Sequence, residues 1–203
     1  TFTAAEIMRL MSEKRRRSLF VAPRRQLVYQ TMNSLNKFDV NCGCIMAGES
    51  RFTQPMAQVG SIDTLVSRIS NERMIAPDAE LVFVDEAHVM CSKKRLEFLD
   101  NYKIVVGLTS TPALANGKGM GGFYTKLVEG PAMKQMVDDG LLVPMRYFCA
   151  DAPDLEKVRL NKDGDYAENQ LADASDKPEL IGSIYKNYKR IAGDRTTLIF
   201  AVN

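Results

Sequence analysis

The chain has 203 residues, of which 45% are hydrophobic and 26% charged, and its formal net charge is +2 at pH 7. These values are ordinary for a globular protein with room for a sizeable core, and they exclude a polycation. No apolar run approaches the roughly 18 to 20 residues needed to cross a bilayer, so we expect no membrane segment. The chain opens with Thr1-Phe2-Thr3 rather than Met, and we expect it to be a piece of a longer protein.

The first two thirds of the chain alternate between helical and strand patterns. Apolar residues at helical spacing predict helices over residues 3–13, 26–35, 61–70 and 94–99. Short apolar runs predict strands over residues 18–22, 44–46, 57–60, 81–84 and 103–108. This alternation predicts an α/β fold in which helices cover both faces of a parallel sheet.

The pattern changes after Pro112. Glycines mark a loop over residues 117–122, and helices are predicted over residues 131–139 and 179–191. Two further strands are predicted over Arg146–Ala150 and Thr196–Val202. We therefore expect a first domain over residues 1–140, followed over residues 141–203 by a linker and the start of a second domain.

An acidic pair follows the apolar run that ends at Val84. Asp85 and Glu86 are followed, after Ala87, by His88, which is the only histidine in the chain. One carboxylate at such a strand end can hold a magnesium ion while the next acts on a water molecule. Two alternatives stay open: the pair is a solvated strand end, or His88 is a hydrogen-bonded core residue.

Hydroxyl side chains follow the next predicted strand, at Thr109, Ser110 and Thr111. Ligands gather at the carboxyl ends of parallel strands, so this group and the acidic pair should lie at one edge of the sheet. The alternative for the threonines is local bonding from hydroxyl to backbone at a strand end.

Basic and hydroxyl residues follow two other predicted strands. Pro23, Arg24 and Arg25 come after the first, and Ser61 and Thr64 open a helix after the third. A guanidinium suits phosphate because its charge is permanent and its donors form a fork. A helix N-terminus also favours phosphate, although Ser61 could equally be a plain helix cap.

Other charged and sulfur-containing residues carry less information. The basic run at residues 14–17 is interpreted as a solvated face. The four cysteines lack zinc-site spacing and are expected to be free thiols in a reducing cytoplasm. They are Cys42, Cys44, Cys91 and Cys149.

The order of these motifs resembles the superfamily 2 DEAD/DEAH-box helicases, most closely their RadD-like bacterial and phage branch. Residues 21–27 resemble motif Ia, 60–65 motif Ib, 84–88 motif II, 107–112 motif III and 197–203 motif IV. The resemblance covers nearly the whole chain, and several motifs in the right order are more specific than any one. It implies a RecA-like parallel sheet followed by the start of a second RecA-like domain.

The resemblance also implies roles at the nucleotide site. ATP and Mg²⁺ would be the cofactors, Asp85 would hold the ion, and Glu86 would orient or deprotonate the attacking water. His88 would link the nucleotide site to its neighbours. Thr109 and Thr111, with Ser110 between them in motif III, would couple the ATP state to domain position.

The same resemblance implies that nucleic acid is the partner, with DNA favoured and RNA left open. Its backbone would be contacted from motifs Ia and Ib by Pro23, Arg24, Arg25, Ser61 and Thr64. These contacts position a strand without reading its sequence.

Some features of the family are missing from the 203 residues. No G-x-x-x-x-G-K-[ST] loop occurs, and Thr1 lies where the family's Gly-Lys-Thr would end, so Thr1 is a candidate magnesium ligand. The later motifs are absent too, and we expect this chain alone not to hydrolyse ATP. The leading hypothesis is an ATP-dependent helicase or translocase in the full-length protein. Its alternatives are a nucleic-acid-binding module without hydrolysis and a motor subunit of a restriction or repair complex.

Overall fold

The computed structural model describes residues 1–50, 52–114, 117–148, 153–161, 166–198 and 200. The chain divides into two compact units, Thr1–Lys126 and Leu127–Asn203. This division falls before the domain boundary that the sequence predicts near residue 140. That boundary, and the assignment of residues 141–203 to a second RecA-like domain, stay predictions.

A five-stranded sheet forms the centre of the first unit. Its strands are Ser18–Ala22 (β1), Cys42–Ile45 (β2), Ala57–Ser61 (β3), Leu81–Asp85 (β4) and Val105–Leu108 (β5). Every neighbouring pair is parallel, and the spatial order is β2-β3-β1-β4-β5. β1 and β3 are buried along their whole length, as expected of parallel strands covered on both faces. The prediction of an α/β fold with a parallel sheet is confirmed.

Four helices of the first unit cover the two faces of the sheet. They are Phe2–Glu13 (α1), Arg25–Lys37 (α2), Ile62–Ser70 (α3) and Lys93–Leu99 (α4). Side chains alternate along each strand, so Phe20 of β1 packs with α1 and α2, while Leu19 packs with α3 and α4. Helices on both faces are therefore confirmed as well.

The second unit contains helices at Met133–Asp138 (α5), Glu168–Ser175 (α6) and Pro178–Ile191 (α7). The strands predicted over 146–150 and 196–202 are wrong for residues 146–148 and 196–198, which form no strand. A strand needs a pairing neighbour, and the described residues of this unit offer none. Cys149, Ala150, Ile199 and residues 201–203 lie outside the described residues.

Two simpler expectations concern the thiols and the membrane. Cys42, Cys44 and Cys91 are free thiols, as predicted, whereas Cys149 is outside the described part of the chain. Among the helices described, none has the length and apolar character needed to span a bilayer.

Candidate functional site

The carboxyl edge of the sheet gathers most of the residues singled out by the sequence. β1 runs into Pro23 and Arg24, β3 ends at Ser61, β4 ends at Asp85, and β5 runs into Thr109. Asp85 is in register with Leu108, so the carboxylate and Thr109 follow adjacent strand ends. The expectation that both groups share one edge agrees with this register.

Asp85 is a partly buried carboxylate at the end of β4. Burial raises its pKa above the usual aspartate value, and the negative charge of Glu86 raises it further. The backbone N–H of Glu86 acts in the opposite direction, by donating to the Asp85 carboxylate.

Glu86 has a left-handed backbone, with φ of 48° and ψ of 49°. This conformation costs a residue with a side chain roughly 1–2 kcal/mol. It ends β4 sharply and starts a 3₁₀ turn at Ala87–Met90. The Glu86 side chain remains 44% exposed, so a carboxylate is presented to solvent beside the more buried Asp85.

His88 joins the end of β4 to the end of β5. Its Nδ1 lies 2.8 Å from Oγ1 of Thr109 and 3.5 Å from a carboxylate oxygen of Glu86. The Thr109 hydroxyl donates to the carbonyl oxygen of Thr111 and accepts from the Thr111 N–H, both at 3.0 Å. A hydroxyl has one proton, so this arrangement assigns Nδ1–H of His88 as the donor to Thr109. Thr109 is therefore hydrogen-bonded both to the backbone of Thr111 and to the side chain of His88.

Residues next to the contact between the ends of β4 and β5 are tightly packed. A Cβ added to Gly107 would lie 2.7 Å from Cζ of Tyr124 and 2.8 Å from Cβ of Ala87. Burial raises the pKa of Tyr124 to about 12, and its hydroxyl has no hydrogen-bond partner among the described residues. Gly107 and Tyr124 were not predicted from the sequence as supporting residues. A glycine inside a strand is the signal that indicates such a close approach.

Arg24 and Arg25 differ sharply although they are neighbours. Arg25 donates to the carbonyl oxygen of Ala47 at 2.7 Å and to the Tyr29 hydroxyl at 3.1 Å, and it lies 3.7 Å from the Glu49 carboxylate. The exposed Arg24 precedes α2, and its side chain makes no hydrogen bond or ion pair with any described residue. Both arginines are exposed, but the donors of Arg25 are already bonded within the protein, whereas the Arg24 side chain has no described partner.

Ser61 and Thr64 are also less available than the sequence suggested. Ser61 does precede α3 as predicted, but it is 8% exposed and its side chain makes no capping bond. Oγ1 of Thr64 accepts a hydrogen bond from the Ala47 N–H at 3.2 Å. Pro23 is half-buried, while Ser110 is exposed and its side chain contacts no described polar group.

Arg95, which was not predicted from the sequence as a site residue, connects α3 to the acidic turn. Arg95 donates to the Asp63 carboxylate at 2.8 Å and to the carbonyl oxygen of Val89 at 2.9 Å. Asp63 stands in the first turn of α3, and Val89 belongs to the 3₁₀ turn that follows Glu86. The connection could not be read from sequence because Asp63 and Arg95 are distant along the chain.

The residues present fit a magnesium ion that is shared with a nucleotide. The described residues hold no group of three or more metal-binding side chains, so a site built by protein alone is not found among them. Mg²⁺ in nucleotide sites is usually held by one or two carboxylates together with substrate phosphates. Asp85 supplies one such carboxylate, and no cationic side chain pairs with it within the described ranges.

Comparisons with known proteins place this site in context. A curated relative, a "51.5 kDa protein" of a Lactococcus phage (isolate 7-9), is 26% identical over 199 residues; these cover 97% of this chain and 40% of the relative. This chain therefore spans about two fifths of the length of that relative. The solved Hef helicase domain of Pyrococcus furiosus is 21% identical, with a TM-score of 0.44 over 54% of this chain and 28% of that one.

A family model matches the first half of the chain. It is described as "Type III restriction enzyme, res subunit" and covers residues 1–114, which include the acidic pair, His88 and Thr109. The match supports a helicase-like nucleic-acid motor domain, while the RadD-like branch stays a prediction. The chain belongs to the family of the type III restriction enzyme res subunit.

Proposed function

We propose that this chain is the core of an ATP-dependent motor, a helicase or translocase that moves on nucleic acid. The observation that carries the proposal is the hydrogen bond of 2.8 Å between His88 and Thr109. It joins a strand end bearing two carboxylates to the neighbouring strand end. His88, beside the carboxylates proposed to act on the nucleotide, is thereby bonded to the loop that begins at Thr109. That loop is proposed to transmit whether ATP is bound.

Asp85 and the Thr1 hydroxyl are proposed to hold Mg²⁺, which supplies charge neutralisation at the β- and γ-phosphates of ATP. Partial burial of Asp85 suits this role, since a desolvated carboxylate without a cationic partner interacts strongly with an added cation.

Glu86 is proposed to orient or deprotonate the attacking water. Its exposed carboxylate differs from that of Asp85 in being open to solvent, and strained backbone of this kind is concentrated at functional sites. His88 lies 3.5 Å from the Glu86 carboxylate and 2.8 Å from Thr109, so the catalytic carboxylate and Thr109 share one neighbour.

Arg24 is the residue we propose for contact with the nucleic-acid backbone. It combines exposure with a side chain that has no hydrogen-bond or ion-pair partner in the described ranges. Single-stranded DNA is the proposed substrate and the cytoplasm the proposed location, both extending the sequence resemblance. Arg25, Ser61 and Thr64 are proposed to shape the same surface rather than to bind phosphate directly.

A second candidate is favoured by the family description. It is a motor subunit of a restriction or repair complex that translocates on DNA without unwinding it. The two candidates share the ATP site and differ in strand separation. An assay that follows strand displacement and the displacement of a bound protein roadblock in parallel distinguishes them. A helicase separates strands, whereas a translocase clears only the roadblock.

Glu86→Gln in the full-length protein tests the proposal. Loss of the water-activating carboxylate should lower ATP hydrolysis by about 10²–10⁴-fold while ATP binding is retained, because Asp85 is unchanged. Glu72→Gln is a matched control, since Glu72 is exposed and also has a positive φ, of 55°. Hydrolysis at the wild-type rate in Glu86→Gln would remove Glu86 from the mechanism. Absence of ATP binding by the wild type would remove the proposed function itself.

A further inference from the structure

A cleft rich in arginine lies within the second unit, and the motor proposal gives it no role. Its volume is about 480 Å³, and it is lined by Arg146, Phe148, Arg190, Ile191 and Arg195. We name these five residues the arginine cleft. Arg190 belongs to the last turn of α7, whereas Arg146 comes from an irregular segment far earlier in the chain. The fold of this unit therefore brings separate cations together.

Among the residues that the structure describes, the three guanidinium groups of the arginine cleft have no carboxylate partner within 4 Å. The one described partner of the Arg190 side chain is the side-chain oxygen of Asn187, which accepts its hydrogen bond at 2.9 Å. In the first unit, by contrast, Arg16, Arg17 and Arg95 each face a carboxylate at 2.8–3.7 Å. Cations that line one cleft and form no close ion pair repel one another, and a bound anion relieves that repulsion.

An aromatic ring gives the arginine cleft a second property. Phe148 is 52% exposed, and the guanidinium carbon of Arg146 lies over its ring at 5.2 Å from the centroid. Arginine planes and aromatic faces are the surfaces on which unpaired bases stack, while arginine forks match phosphate oxygens. An acidic peptide would use the arginines but would leave the exposed ring without a partner. The combination therefore favours nucleic acid over a carboxylate ligand.

We propose that the arginine cleft binds a single strand of nucleic acid, with its phosphates on Arg190 and Arg195 and one base stacked on the Arg146–Phe148 pair. This contact reads no sequence, since each of its groups recognises features common to all nucleotides. The proposal concerns binding alone and does not depend on ATP hydrolysis or on the residues at the carboxyl edge of the sheet.

Binding of a short labelled oligothymidine strand to the full-length protein, without nucleotide and over a series of salt concentrations, tests the proposal. Arg146→Ala and Arg195→Ala should each weaken binding several-fold and reduce the slope of log affinity against log salt by about 0.7. Phe148→Leu should weaken binding about tenfold with the slope unchanged, because stacking and not charge is lost. Arg159→Ala, an exposed arginine of the same unit outside the cleft, is the matched control.

Thermal melts of each variant separate lost binding from lost folding. If Arg146→Ala melts early, the Arg195→Ala result decides, since Arg195 lies beyond the end of α7. Wild-type affinity and slope in the folded cleft variants would overturn the proposal. The proposal would also be overturned if the arginine cleft bound free ATP or an acidic peptide but did not bind oligothymidine. These readouts are independent of hydrolysis, so failure of the motor proposal would leave them unchanged.

Discussion

The two halves of the sheet's carboxyl edge use their polar residues in opposite ways. In the acidic half, formed by Asp85, Glu86, His88 and Thr109, a hydrogen bond between His88 and Thr109 connects neighbouring strand ends. Among the described residues, Asp85 has no cationic side-chain partner, and Glu86 has only the His88 ring, at 3.5 Å. In the basic half, which follows β1, β3 and β2, polar side chains mainly hold the loop at Met46–Ala47. That loop receives hydrogen bonds from Arg25 and Arg68 and donates one to Thr64.

This difference separates residues by what remains free for a ligand. The acidic half keeps its carboxylates available, whereas the basic half has already used Arg25 and Thr64 within the protein. Arg24 is the exception, since it is exposed and its side chain pairs with nothing in the described part of the chain. Four predictions sharpen or break this comparison.

The largest effect is expected in the acidic half, from Asp85→Asn in the full-length protein. Magnesium-dependent ATP hydrolysis should fall by at least about 10²-fold, because the only partly buried carboxylate proposed for the ion is lost. Steady-state hydrolysis measured across a magnesium titration checks this result. A rate restored to wild type by moderate extra magnesium would mean that Asp85 is not a ligand.

The second effect concerns the packing beneath the acidic half. Gly107→Ala should lower the free energy of unfolding by about 1–3 kcal/mol, because the new Cβ would lie within 2.8 Å of both Tyr124 and Ala87. Gly119→Ala is the matched control, since no atom lies within 4 Å of its added Cβ. Denaturant unfolding of both variants provides the measurement. Equal stability of the two would contradict the close packing of β5.

A smaller effect distinguishes the two arginines of the basic half. Arg24→Ala should reduce the salt dependence of single-strand binding by about 0.7 in slope, as expected for one lost phosphate contact. Arg25→Ala should lower thermal stability with little change in slope, because its donors bond Ala47 and Tyr29. Binding titrations at several salt concentrations, with parallel melts, compare the two. If Arg25→Ala lowered the salt slope and Arg24→Ala did not, the contacts of Arg25 with Ala47 and Tyr29 would not prevent it from binding phosphate.

The smallest effect is a dependence of stability on pH. Burial raises the folded-state pKa of Asp85 above its unfolded value of about 4, so the protonated form favours folding. The contribution of Asp85 to the free energy of unfolding is complete below its unfolded pKa and is lost as pH rises through its folded pKa. Asp85→Asn should therefore melt at a higher temperature than wild type at neutral pH, and the gain should vanish as pH falls towards 4. Asp173→Asn, at an exposed position of α6, should show no such trend.

Much of the first unit could be predicted from sequence because its signals are local. Buried parallel strands appear as continuous apolar runs, and polar residues after Val84 and Leu108 mark where strands end at a shared edge. The resemblance to helicases supplied the roles of Asp85, Glu86 and His88, and those roles remain proposals.

The errors and omissions depend on contacts between distant residues. The patterns at 146–150 and 196–202 predict strands, but a strand forms only where another strand pairs with it, and residues 146–148 and 196–198 have none. Nothing in the sequence distinguishes Arg24 from Arg25, because Arg25 is bonded to the carbonyl oxygen of Ala47, which is distant along the chain. The contact of Gly107 with Tyr124 depends in the same way on how the segment after β5 folds back.

The central claim is that the ends of β4 and β5 act as one unit through His88 and Thr109. A double-mutant cycle on ATP hydrolysis by the full-length protein, stimulated by single-stranded DNA, tests it most directly. His88→Gln and Thr109→Val should each lower the stimulation, and the double variant should be no worse than the more impaired single variant, because both remove the same hydrogen bond. Losses in the double variant that equal the product of the two single losses would contradict the claim.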